Sequence, residues 1–123
     1  MGIEYSIIDR GRKDAIDIHK SYWLAGPVSD HTAITAQDVQ RCAPDCPEAW
    51  AWMPATILAW MAERPGPFEL VNDHTGNEPW DMDEGGSEPG WTVYTPWDNA
   101  VAGRRTTWGG NTYQQVAIAR VQP

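Results

Sequence analysis

The 123-residue chain has the size of one domain and can bury about two thirds of its unfolded surface, while 41% apolar residues and eight tryptophans exclude a chain too polar to fold. A formal charge of -8 argues against direct binding of nucleic-acid phosphates. No run reaches the roughly 18 to 20 continuous apolar residues of a membrane span, and the N-terminus has no basic start followed by an apolar stretch, so a single cytoplasmic domain over 1–123 is expected.

Ile3, Tyr5 and Ile7 alternate with Glu4 and Ser6, a period of two that predicts a half-buried strand. After a charged turn over Arg10 to Asp14, Ile16 and Ile18 resume the alternation, so residues 3–19 read as a β-hairpin, extended or closed by Tyr22, Trp23 and Leu24. Thr35 with Asp38 three residues on is an N-cap signature and predicts a short helix over about 36–43, interrupted by Pro44 and Pro47. Trp50, Met53, Ile57, Trp60 and Met61 then fall at helical spacing and read as core. Because proline is harmless only in a first helical turn, the main helix is expected to start near Pro54, run to Arg64 and stop at Pro65-Gly66-Pro67.

Phe68 to Val71 is a short strand candidate. Residues 73–90 lack apolar periodicity and read as a long loop, a length associated with function. Trp91 to Thr95 reads as a strand ended by Pro96, and 104–108 with 112–121 flank a Gly109-Gly110-Asn111 turn, the last stretch suiting a strand buried on both faces. The order hairpin, helices, strands predicts an α+β fold: a single mainly antiparallel sheet of about five strands, packed by one main helix over 54–64 and the short helix over 36–43.

Charge is distributed unevenly along this order. Between Pro65 and Gly103 stand Glu69, Asp73, Glu78, Asp81, Asp83, Glu84, Glu88 and Asp98 with no Lys or Arg, so the whole net charge comes from this segment. It also carries Trp80, Trp91 and Trp97, with Trp108 beyond it, set among Gly, Pro and acids where indoles are available as partner anchors.

Other clusters carry less. Asp81-Met82-Asp83-Glu84-Gly85-Gly86 offers oxygen ligands but departs from the EF-hand loop, with Gly85 at its fifth position and Thr92 at its twelfth. Cys42, Cys46, His31 and His74 have no zinc-motif spacing, so no metal and no cofactor is expected; the thiols are expected reduced, although Cys-x3-Cys also permits a small disulfide loop. Asp30-His31 and Asp73-His74 are adjacent in sequence, a spacing at which side chains diverge, and no nucleophile elbow, phosphate loop or dinucleotide fingerprint is present. No catalytic residue is assigned and no enzyme is expected.

Met1-Gly2-Ile3-Glu4-Tyr5, then Asp17-Ile18-His19-Lys20 and the aromatic Tyr22-Trp23, resemble the start of small uncharacterised proteins encoded by bacteria and their phages. The resemblance covers about residues 1–24. It implies an accessory protein of a mobile element, where acidic inhibitors and sequestering proteins are frequent, and it supplies no catalytic residue.

Two functions follow as expectations. The first is a non-enzymatic binding protein, such as a phage counter-defence inhibitor. It would dock Trp80, Asp81, Asp83, Glu84, Glu88, Trp91 and Trp97 on a basic protein surface such as one that otherwise holds nucleic acid, without contacting membrane or nucleic acid itself. The alternative is a small-molecule binder in which Trp80, Trp91 and Trp97 surround a nucleotide or sugar ring and Arg104 or Arg105 holds an anionic group. Arg104-Arg105 would otherwise neutralise the preceding acids.

Overall fold

Tyr5–Asp9 (β1) and Asp14–His19 (β2) form the expected antiparallel hairpin, closed by a turn in which the Lys13 amide donates to the Arg10 carbonyl. The structure is a computed structural model and describes residues 3–28, 33–74, 78–80, 88–96, 105–108 and 110–116, with 105–108 described by backbone alone. Every residue of β1 is buried, not every second one. The reason is position: β1 lies inside the sheet, paired antiparallel to β2 on one side and to Phe68–Asn72 (β4) on the other, and both faces of the sheet are covered.

Tyr22–Ala25 forms a one-turn helix (α1), where the sequence led to the expectation that Tyr22, Trp23 and Leu24 extend or close the hairpin. Trp23 and Leu24 are buried against the main core, and for the strand-prone Trp23 that tertiary gain overrides local propensity. A two-residue strand, Ala33–Ile34 (β3), precedes Ala36–Cys42 (α2). The α2 start is a complete capping box: Thr35 Oγ1 accepts from the Asp38 amide at 3.3 Å, and the Asp38 carboxylate accepts from the Thr35 amide at 2.9 Å.

Single 3-10 turns at Ala43–Asp45 and Glu48–Trp50 carry the chain past Pro44 and Pro47 into Trp52–Ala62 (α3). This helix starts two residues before Pro54, which still lies in the first turn where no partner for its missing N–H is needed. It ends two residues short of Arg64, because the residue before Pro65 is driven out of helical geometry. Met53, Ile57, Trp60 and Met61 are buried as their spacing predicts.

Thr92–Thr95 (β5), Arg105–Trp108 (β6) and Asn111–Gln115 (β7) complete a seven-stranded sheet in the order β3-β4-β1-β2-β5-β7-β6. The fold is α+β and mainly antiparallel, but β5 pairs parallel with both β2 and β7. The expected strand over 112–121 is β7 as far as Gln115, and residues 117–121 lie outside the described residues.

Alternation then sorts the side chains onto two faces. Ile7, Ile16 and Leu70 share one face with the buried residues of all three helices. Ile8, Ala15, Val71 and Val93 share the other, where Trp80 and Trp91 are buried and Tyr113 packs against them. Among the described residues no helix is long and apolar enough to cross a membrane.

Candidate functional site

The acidic segment is attached to the second face of the sheet at several fixed points. It leaves β4 where the Asp73 carboxylate accepts the Glu4 amide at 3.0 Å and the Asp73 amide donates to the Glu4 carbonyl at 3.0 Å. Glu78 and Trp80 are then buried over the second cluster, and the Trp80 ring lies 5.4 Å from that of Trp91. The Glu88 amide donates to the Pro79 carbonyl at 2.9 Å, so the two ends of the stretch holding Asp81, Asp83 and Glu84 are held side by side.

The hairpin turn grips the same place. Lys13 Nζ reaches a Glu88 carboxylate oxygen at 3.1 Å and the Pro89 carbonyl at 3.1 Å. That ammonium holds the Glu88 carboxyl below the usual range. Arg10 makes a two-pronged ion pair with Glu69, at 2.9 and 3.1 Å, which raises the guanidinium's already high pKa. The basic turn of the hairpin therefore neutralises the acids at the margins of the segment.

Trp91 is held by the β6–β7 hairpin. Its amide donates to Asn111 Oδ1 at 2.9 Å, its carbonyl accepts the Thr112 amide at 2.8 Å, and the neighbouring Gly90 amide donates to the Gly110 carbonyl at 3.0 Å. Gly110 has φ +84, and a Cβ there would stand 2.9 Å from Pro89 Cβ, so only glycine fits.

The predicted site residues divide accordingly. Trp80 and Trp91 are 6% and 1% exposed. This corrects the expectation that they present their faces to a partner or surround a ligand ring. The two rings pack at a tilt against each other on the face of the sheet that none of the described helices covers. Glu88 is exposed but engaged by Lys13. Asp81, Asp83, Glu84, Trp97 and Arg104 lie outside the described residues, as does the side chain of Arg105, whose backbone begins β6.

Compared with protein-family models, curated proteins and solved structures, the chain matches none. The site is therefore read from its own geometry.

Cys42 is buried, and Cys46 donates to the Trp50 carbonyl at 3.3 Å while burial pushes its thiol pKa up. A protonated thiol is a poor metal ligand. Among the described residues no three His, Cys, Asp or Glu side chains gather as a metal site would require. The Asp73 carboxylate is turned to the Glu4 amide, and the His74 backbone amide donates to Asn72 Oδ1 at 2.8 Å. His31 and the Asp81-Met82-Asp83-Glu84 run are outside the described residues.

Sequence reasoning missed a second constellation, on the helix-covered face. Arg64 donates through Nε to Asp14 Oδ2 at 2.9 Å and through Nη1 to the Trp60 carbonyl at 2.8 Å, and its guanidinium lies 4.3 Å from the Trp60 ring centre and 4.7 Å from that of Tyr94. The signal was available: Arg64 follows Trp60 by four residues, one helical turn, and is the sole Lys or Arg between Arg41 and Arg104.

Proposed function

We propose that the chain is a non-enzymatic binding protein that docks the acidic segment on a basic protein surface, with Asp81, Asp83 and Glu84 as the steering charges. The observation that carries this reading is the closed neck formed by Pro79 and Glu88. It holds together the ends of a short stretch with three carboxylates, while Glu69 and Glu88 at its margins are already matched by Arg10 and Lys13. The charge available for a partner is thus concentrated in the stretch between the anchors, where it raises encounter rates and penalises acidic competitors. Trp80 and Trp91 contribute as the footing of that stretch and not as contacts. In keeping with the N-terminal resemblance, one concrete form is a phage-type inhibitor that occupies a nucleic-acid-binding protein's basic surface.

The test is the triple variant Asp81→Asn, Asp83→Asn, Glu84→Gln, which changes the net charge from -8 to -5. Captured partners of the wild-type chain should be basic and be lost from the variant. Their retention should weaken steeply between 50 and 200 mM salt, since the Debye length falls to about 8 Å at 0.15 M. Equal capture by the triple variant, with an unchanged melting temperature, would remove the charge argument.

A further inference from the structure

The constellation around Arg64 borders a cavity of about 210 Å³ between the C-terminal half of α3 and strands β2 and β5. It lies on the helix-covered face, whereas the acidic segment is footed on the other, so it stands apart from the docking reading. Its walls include Ile16, Trp60 and Tyr94, and its rim carries the exposed Ala59 and Glu63. The volume sets the size of an occupant. It is below the roughly 300 to 1,000 Å³ of drug-sized pockets, yet larger than the about 150 Å³ apolar cavity that holds a benzene ring. One substituted ring or a compact bicycle fits.

The polar equipment narrows the class further. The Arg64 side chain is 7% exposed and is fixed by Asp14, the Trp60 carbonyl and two aromatic rings. Two of its N–H groups are used in these bonds, and the remaining three have no acceptor among the described residues. The Trp60 indole N–H is likewise without an acceptor among them, although that residue is only 6% exposed. The Arg64 donors are held ready without further ordering cost, which is what a recognition site requires, whereas the Trp60 N–H is shut off from the cavity and is not among them.

Charge decides between ligand types. Asp14 cancels the Arg64 charge at 2.9 Å, and the Glu63 carboxylate, 3.8 Å from Nη1, leaves the cavity mouth slightly negative. An anion would meet that carboxylate, and a cation would meet the guanidinium. A neutral ring with an acceptor on one edge and an N–H on the next satisfies both groups.

We propose that this cavity binds a neutral planar heteroaromatic of nucleobase size, its carbonyl or ring-nitrogen edge toward Arg64 and its N–H edge toward Glu63. The test is titration of the full chain with uracil and with adenine, followed by the indole N–H signals in 1H–15N spectra, with the Trp60 signal assigned by Trp60→Phe. A saturable shift of the Trp60 signal is expected with at least one base. Binding should be at least tenfold weaker for benzoate, and it should fall about two- to fivefold in Glu63→Gln, where an exposed charged acceptor becomes a neutral one. Ala59→Leu, at an exposed helix position that tolerates leucine, should block the mouth and abolish the shift without lowering the melting temperature. No saturable shift with either base at millimolar concentration would overturn the proposal. So would benzoate binding as tightly as the bases, or base binding unaffected by Ala59→Leu.

Discussion

Replacing Trp91 by alanine separates a structural indole from a contact indole. Trp91 is 1% exposed, with its ring 5.4 Å from that of Trp80 and its cluster completed by Ile8, Ala15, Val71 and Val93. A tryptophan buries about 150 to 250 Å². At about 25 cal/mol per Å², the loss in transfer free energy is about 4 to 6 kcal/mol, and measured aromatic truncations cluster near 3 to 5 because the site partly collapses. We therefore expect Trp91→Ala to cost about 4 kcal/mol, a large part of the roughly 5 to 15 kcal/mol that holds such a domain together. With a urea slope of about 1.5 kcal/mol per M, the unfolding midpoint should fall by about 2.7 M. Trp91→Phe keeps a ring in the cluster and should lose less than half as much. The assay is equilibrium urea unfolding followed by far-UV circular dichroism, which does not depend on the mutated fluorophore. If Trp91→Ala unfolds within 1 kcal/mol of wild type, the ring is not in the core, and the account of the acidic segment's footing fails with it.

Four further outcomes are expected. Thr35→Ala removes the acceptor of the α2 capping box and should cost about 1 kcal/mol by thermal unfolding. The Asp38 carboxyl is held below its usual range, first by the Thr35 amide. Its contribution is therefore fully present above about pH 4, the ordinary aspartate value, and is lost as pH falls through the depressed folded value; Asp38→Asn should flatten that part of the stability profile. Lys13→Met should raise the Glu88 carboxyl toward the ordinary range, read as an upward shift in its NMR titration; an unmoved titration would exclude Lys13 as the main cause. Gly110→Ala should destabilise by more than about 1 kcal/mol, since it sets a side chain at positive φ and 2.9 Å from Pro89 Cβ.

Local pattern made some elements readable and long-range pairing hid others. The 3–19 hairpin, the Thr35 and Asp38 capping box and the Met53, Ile57, Trp60, Met61 face were legible because each is specified within a few residues. Ala33–Ile34 is too short to show a period. The parallel pairing of β5 with β2 depends on residues separated by more than seventy positions, Ala15 opposite Val93 among them, and no local signal selects that neighbour over an antiparallel one. The acidic segment was legible as charge. Its tethering to Arg10 and Lys13 was not, since both bases lie in a hairpin turn far away in sequence.

The burial of the loop tryptophans follows from a requirement of the whole sheet and not from their neighbours in sequence. All buried helical residues among those described fall on one face, yet Ile8, Ala15, Val71 and Val93 are turned to the other and cannot be left in water without forfeiting that part of the core energy. With none of the described helices on that face, the flanks of the acidic segment cover it: Trp80 from the loop side, and Trp91 from the approach to β5. Trp91 and Val93 are two residues apart, so the strand pleat puts both on that face, and this alternation was present in the sequence. Trp80 has no such register and could be placed only once the uncovered face was known. The segment that supplies the charge therefore also completes the second core. Neutralising Asp81, Asp83 and Glu84 should alter recognition while sparing the fold, whereas truncating either indole should damage the fold first.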